Sequence, residues 1–375
     1  MKDVPREVFS GELDRKNASL KEAMKQLQIK KDKYTSPEIE IKSKLGDKSH
    51  YYKHFFQGAT IVPRNIWFVK IEKLKRLGFD PKNPYVETDN KVESKRPWNK
   101  VKLSGRIESD FLYATMLSTD LVPFGHLRVR PVVLPVIMKS GKFHLFKDNK
   151  EPLRAGFNYI ASYLSKAEEI WQKHATTKAK KLTVNQWVNY RNKITNQEPL
   201  RSYKVLYTAS ATYLAACIID QTKNFEMEID GSKLKLNAFV AESKTYYYET
   251  DSLDEANYLV AILNSTVVDQ IIKPLQTRGL WGARDIHKRP LLLPILKFKR
   301  SCSNHKRITE LGKMAQEKVE EEIPRLIKYR SIGKVRSEIR ELLKDEIVEI
   351  DNLAVKIMFE KNSPSGLSQF IQAEA

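Results

Sequence analysis

Between Arg278 and Arg289 the sequence reads RGLWGARDIHKR, which places Arg278, Arg284, His287, Lys288 and Arg289 around one indole, Trp281, with Asp285 as the single acid. Gly279 and Gly282 free the backbone for tight turns. A short basic loop of this kind suits entry into a nucleic-acid groove. Its cations can meet phosphates and guanine edges, and its aromatic ring can stack or wedge. The same residues also fit an ordinary surface connection with Trp281 as a core plug.

A second polar stretch, YRNKITNQ, supplies Tyr190, Arg191, Asn192, Lys193 and Gln197. Amide and guanidinium groups at such spacing can read purine edges bidentately. The alternative is a polar link between Trp187 and the following apolar run. Arg128 and Arg130 alternate with apolar residues in HLRVRP and so share one strand face, as phosphate contacts or as a solvated surface. Lys178, Lys180 and Lys181 form a basic cluster able to hold phosphates without sequence preference. A competing chemistry is offered by Asp230, Glu242 and Lys244, whose order matches the two carboxylates and lysine that PD-(D/E)xK nucleases arrange around Mg²⁺. Asp230, however, stands in an Asp-Gly turn that explains it without a metal.

The charge of the chain follows these candidates. Net charge is +20 over 375 residues, and residues 51–200 carry 27 Lys/Arg against 13 Asp/Glu, hence +14 of that excess. Residues 301–375 are neutral, with 13 of each sign. A basic body beside a neutral tail points to a polyanion partner. The two cysteines, Cys217 and Cys302, exclude a disulfide framework and a cysteine-based zinc site. No apolar run approaches the ~18 residues of a membrane span, and the charged start MKDVPREVFSGELDRK lacks a signal-peptide core. The expectation is a cytoplasmic protein with no membrane partner.

The elements that must position these residues follow from periodicity. Residues 1–50 predict a short helix and a tether. Tyr51–Ile71 reads as strand, Lys73–Pro97 as turns, Ile107–Leu121 as a short helix, and Phe157–Ala175 as an amphipathic helix with Trp171 in the core. The run VLYTASATYLAACII reads as strand, and Phe225–Glu249 as a hairpin turning at Asp230-Gly231 followed by SKTYYYET. Apolar spacing over Ala256–Ile272 predicts a helix, and LLLPILKF a strand. From His305 the chain is helical: Ile308, Leu311, Ala315 and Val319 form one stripe, and Val335, Ile339, Leu342, Ile347, Ile350, Leu353 and Ile357 a longer one. The fold class is α+β: residues 51–300 as a strand-rich body with inserted helices, with two sub-units meeting near residue 150, then a helical tail over 301–375.

The order Ala261-Ile262-Leu263-Asn264-Ser265, Gly282 to Pro290, and Leu293-Pro294-Ile295 resembles the closing part of target-recognition domains in restriction–modification systems. It is similar in particular to the C-terminal specificity half of N6-adenine DNA methyltransferases, and more loosely to type I specificity subunits. Gly58–Arg64 before Trp67-Phe68-Val69, Asp110–Tyr113 before Pro123-Phe124-Gly125, Asn189–Lys193 and Tyr246–Thr250 fit in the same order, so the resemblance covers roughly residues 50 to 360. It implies sequence-specific binding of double-stranded DNA. The Asn/Asp-Pro-Pro-Tyr/Phe motif of such enzymes is missing, as is a glycine-rich turn for S-adenosylmethionine; the nearest string is Asn83-Pro84-Tyr85. The resemblance therefore implies no cofactor in this chain, with S-adenosylmethionine on a separate methyltransferase catalytic domain or subunit. The alternatives are the Mg²⁺-dependent nuclease above and a non-functional remnant of a split methyltransferase gene.

Overall fold

The structure is a computed structural model that describes residues 48–74, 78–279, 282–329 and 331–359; the helix and tether expected over residues 1–50 lie almost wholly outside them. It is α+β. The first half carries β1 (Phe56–Gln57), the one-turn helix α1 (Arg64–Trp67), and three short strands, β2 (Val69–Glu72), β3 (Tyr85–Thr88) and β4 (Ser104–Arg106). Then come β5 (Leu112–Thr115), the small pair β6 (Leu121–Val122) and β7 (Gly125–His126), β8 (Arg130–Val133), and the hairpin β9 (Val136–Lys139) with β10 (Lys142–Leu145). Helices α2 (Lys150–Arg154), α3 (Asn158–His174) and α4 (Val184–Val188) follow.

The second half opens with β11 (Tyr203–Thr208), β12 (Ala216–Asp220), β13 (Phe225–Ile229), β14 (Ser232–Phe239) and β15 (Thr245–Thr250). Helices α5 (Leu253–Asn264) and α6 (Thr266–Ile272) lead to the two-residue strands β16 (Arg278–Gly279) and β17 (Gly282–Ala283). Three helices close the described chain, α7 (Ser303–Leu326), α8 (Ile332–Leu342) and α9 (Lys344–Phe359).

The element that organises the body is the antiparallel sheet β1-β15-β11-β12. Side chains alternate across a strand, so one sheet can serve two cores. Leu206, Cys217, Ile219 and Tyr247 enter one core with Trp67, Phe111, Tyr163 and Phe239. Val205, Tyr207, Ala216 and Ile218 enter the other, with α5, α6 and the helices from Ser303 onward. The tail stripe Ile308, Leu311, Ala315 and Val319 is thus buried against the sheet's own helical cover. Asn264 fixes this cover, because its side-chain amide exchanges two hydrogen bonds with the Ala216 backbone, both 2.9 Å.

Several sequence expectations change in the folded chain. Ile107–Leu121 is not a helix: it holds the 3-10 turn Ser109–Phe111 and the strand β5. All four residues of β5 are buried between β14 and β8, and a strand covered on both faces reads as a continuous apolar run without alternation. VLYTASATYLAACII is two strands, β11 and β12, folded back on each other. The hairpin β13–β14 turns at Asp230 (φ 54°) and Gly231 (φ 73°), as the Asp-Gly pair predicts, but β15 pairs with β11 and β1 and not with β14. LLLPILKF forms no strand; its backbone instead accepts from Ser49 and His50, through Leu291 O (3.1 Å) and Ile295 O (3.0 Å). The long C-terminal stripe is broken at Leu343, which is buried while Leu342 faces outward, and the register restarts in α9.

Candidate nucleic-acid interface

At the end of β11 four segments meet edge to edge. Ala209 N donates to Lys244 O (2.8 Å), and Ala209 O accepts from Ile286 N (3.1 Å) and His287 N (3.0 Å). On the other side Gly58 N donates to Thr245 O (3.0 Å) and Ser243 N to Ala59 O (2.8 Å). These contacts make a rim from residues 57–59, 243–245, 209–211 and 284–287. Its packing demands glycine at one point: a Cβ on Gly58 would lie 2.4 Å from Glu242 O and 2.5 Å from Ala241 O.

The Arg278–Arg289 loop hangs on this rim by its backbone. Arg284 is clamped from both sides, its N donating to Thr277 O (3.0 Å) and its O accepting from Ala211 N (2.9 Å), while its side chain is exposed. Asp285 supports the turn by accepting from the Thr277 hydroxyl at 2.5 Å and lies 3.9 Å from His287 Nε2. His287, exposed and in the left-handed region at φ 45°, sets its ring edge against Tyr246 at 6.3 Å between centroids. Its carbonyl receives the hydroxyl of buried Tyr207 at 2.8 Å. Tyr207 in turn stacks on Tyr246 with only 6° between the rings.

Lys288 and Arg289 are turned to structural use. Lys288 Nζ donates to Tyr52 O at 2.7 Å and lies 5.0 Å from the Tyr52 ring, and burial lowers the pKa of its ammonium. Arg289 donates to the Asp285 carbonyl. Trp281 and the Arg278 side chain lie outside the described residues.

The Tyr190–Gln197 stretch reaches the same rim. Asn189 shapes it, its Oδ1 accepting from Ile194 N (2.9 Å) and Thr195 N (3.1 Å). Arg191 and Asn192 both adopt φ 58° and are exposed, with the Arg191 guanidinium 5.4 Å from the Tyr190 ring. Tyr190 is itself exposed and lies against Trp187 at 5.6 Å. Lys193 Nζ donates to Gln57 Oε1 at 2.8 Å, and Gln57 stands opposite Tyr246 in the β1–β15 ladder. The two candidate loops therefore converge on one rung of the sheet, Lys193 through Gln57 and His287 through Tyr246.

Gln197 corrects the sequence reading. Instead of offering its amide to a purine it is buried at 2 % exposure, bonded to Ala241 and Lys204. Arg130 is likewise committed, forming a bidentate pair with buried Asp120 at 2.6 and 2.7 Å, while Arg128 stays exposed 3.6 Å from the same carboxylate. Lys178, Lys180 and Lys181 project from the turn beyond α3, all exposed. The nuclease arrangement does not form. Asp230 sits at the hairpin tip, 2.5 Å from Lys73. Glu242 lies past the other end of the eight-residue strand β14, roughly 26 Å away at strand rise. There Glu242 is buried, accepting from Lys244 N (2.8 Å) and facing Arg64 at 3.6 Å. No set of three or more possible metal ligands occurs among the described residues, nor is any described helix long and apolar enough to cross a membrane.

Sequence reasoning did not single out Gln57 or Tyr52 as parts of this region, and Arg64 entered only within the Gly58–Arg64 run. Tyr246 was visible only within the run Tyr246-Tyr247-Tyr248, whose alternation sends its middle ring to the opposite core.

No protein-family model and no curated protein matches this chain. Among the solved structures similar to it are two restriction-modification enzymes. One is the Type IIL restriction-modification enzyme MmeI in complex with DNA, at 12% identity and TM-score 0.42, over 70% of this chain and 30% of that one. The other is the type IIG restriction endonuclease BpuSI, at 11% identity and TM-score 0.30, over 88% and 34%. The chain thus spans about a third of the length of either enzyme.

Proposed function

We propose that this chain binds double-stranded DNA sequence-specifically, as the recognition part of an N6-adenine methyltransferase or restriction–modification assembly. The observation that carries the reading is the placement of Arg284 and His287. Their backbones are fixed to the sheet rim while their side chains stay exposed, on the same rung that the Arg191–Asn192 turn reaches through Lys193 and Gln57. A reader needs rigid backbone behind adaptable donors, because specificity is lost when the reading group is free to wander. The lysines and arginines of residues 51–200 supply the sequence-independent phosphate attraction.

Chemistry on an adenine would belong to a partner polypeptide carrying S-adenosylmethionine. In the nearest local string, Asn83-Pro84-Tyr85, the Asn83 side-chain nitrogen donates to Asp80 at 3.2 Å and the Asn83 backbone carbonyl accepts from Arg106 at 3.0 Å.

The test is the affinity of the purified chain for random duplex as a function of salt. With on the order of six phosphate contacts, affinity falls roughly a thousandfold between about 50 and about 200 mM salt. A flat dependence, or no duplex binding in dilute buffer, removes the proposal and leaves +20 as a matter of solubility.

A further inference from the structure

Beside the rim stands a second basic cluster that the loops do not include. The chain leaves the Ala211–Arg284 bond and two residues later presents Tyr213, 52 % exposed. Lys273 Nζ lies 3.8 Å from the Tyr213 ring centroid and the Arg340 guanidinium 5.7 Å from it, both inside cation–π range. Lys273 comes from the turn after α6 and also donates to Thr212 O. Arg340 comes from the last turn of α8, so this patch joins the helical tail to the rim.

The charges here are poorly compensated. Among the described residues, Asp269 is the carboxylate paired with Lys273, 3.5 Å away, and it also accepts from Leu214 N at 2.7 Å. Arg340 gives one terminal nitrogen to Leu214 O at 3.0 Å, but among the described residues its Nε has no hydrogen-bond partner. One helical turn before it, Arg336 donates to Ser118 O (2.8 Å) and Leu121 O (2.7 Å). Among the described residues, no carboxylate forms an ion pair with Arg336 or Arg340. Burial, with Arg340 as neighbour, lowers the pKa of Arg336. Two arginines at i and i+4 repel each other, and carbonyl oxygens satisfy their donors without neutralising their charge. A phosphate supplies both acceptor oxygens and charge, and an exposed tyrosine hydroxyl is a further donor to it.

We propose that Lys273, Arg340 and the Tyr213 hydroxyl form a phosphate-binding site, which grips the DNA backbone next to the base-reading rim. Its assignment to DNA rests on the function proposed above. The phosphate chemistry does not, since a free phosphate ion offers the same oxygens.

The experiment compares wild type with Arg340→Gln, Arg340→Lys and Lys273→Gln in two assays. With random and selected duplex, the two glutamine variants should lose affinity for every sequence alike and reduce the log–log salt slope by about one, while Arg340→Lys keeps the slope and so controls for misfolding. In the second assay, inorganic phosphate should raise the melting temperature of wild type and not of Arg340→Gln. Unchanged slopes in both glutamine variants, with wild type binding DNA normally, overturn the backbone grip. If wild type binds no duplex, the DNA reading fails by itself. Phosphate-dependent melting lost in Arg340→Gln then supports a site for free phosphate, and its absence from wild type as well overturns the site.

Discussion

Gln197 Oε1 accepts a hydrogen bond from Lys204 Nζ at 3.1 Å, and through it the polar 190–197 loop is fastened to the middle of the central sheet. Lys204 is fully buried and also donates to Phe239 O (2.9 Å) and faces Glu249 at 3.0 Å. Burial lowers the pKa of its ammonium, against the raising effect of Glu249. Gln197 further bonds Ala241 through N (2.8 Å) and O (3.1 Å). Truncating it strands a buried amide and weakens the surroundings of a buried cation. Gln197→Ala should therefore lower unfolding free energy by about 2–3 kcal/mol, with the folded fraction selecting the same DNA as wild type. Denaturant unfolding and selection on randomised duplex check this. Wild-type stability with a changed preference at one base pair would return Gln197 to the reading surface.

Gly58 tests the rim itself. Glu242 O and Ala241 O stand where its Cβ would be, and backbone atoms cannot step aside as a flexible side chain can. Gly58→Ala should destabilise the chain by about 1–3 kcal/mol and weaken duplex binding together with it, because Gly58 and Thr245 share the hydrogen bond that closes the rim. A variant that melts like wild type contradicts this account of the close approach.

The parts of the fold set by local pattern were legible in the sequence: the amphipathic helix α3, the Asp-Gly hairpin, and the helices from His305 onward. The errors arose where tertiary burial overrode periodicity. FLYATML is apolar because β5 is covered on both faces, and no spacing rule separates that from a buried helix. The site divides in the same way. That the Arg278–Arg289 and Tyr190–Gln197 stretches were polar and rich in purine-reading donors could be read directly. Which donors remain exposed could not, since Gln197 is spent on Lys204, Lys288 on Tyr52 and Arg130 on Asp120 through partners between 7 and 236 residues away. Only the folded chain distinguishes Arg284 from Arg130.

Acid should loosen the junction between tail and body through His305. Its Nδ1 accepts from Lys299 N at 3.0 Å, and its ring lies 4.7 Å from that of Tyr258. Burial, and then the charge of Lys299, lower its pKa below the ordinary 6.5. A depressed folded-state pKa means that the unfolded chain takes up the proton first. The stability contributed is present above pH 6.5 and is lost as pH falls through the lowered value. Burial also lowers the pKa of His126, which adds in the same direction. Melting temperature should fall between about pH 7 and about pH 5.5, before carboxylates titrate. His305→Gln should start lower at neutral pH and show a shallower fall. A slope identical to that of wild type would assign the acid effect elsewhere.

The decisive comparison sets Arg284 against Lys180. Arg284 is exposed on backbone held at both ends, N to Thr277 and O to Ala211, so its truncation removes a donor without disturbing the rim. If it contacts a guanine edge, Arg284→Ala should cost about 1–3 kcal/mol on the preferred site and relax selection at one base pair. Lys180 is exposed on the turn beyond α3. A lysine that touches only phosphate weakens all sequences alike, so Lys180→Ala should reduce the salt slope by about one and leave the selected sequence intact. Binding selection on randomised duplex, with melting curves to show that both variants fold, separates the two roles. Should Arg284→Ala keep the wild-type profile, the rim loop is not the reader, and the exposed Arg191–Asn192 turn on the neighbouring side of the same sheet rung becomes the position to substitute.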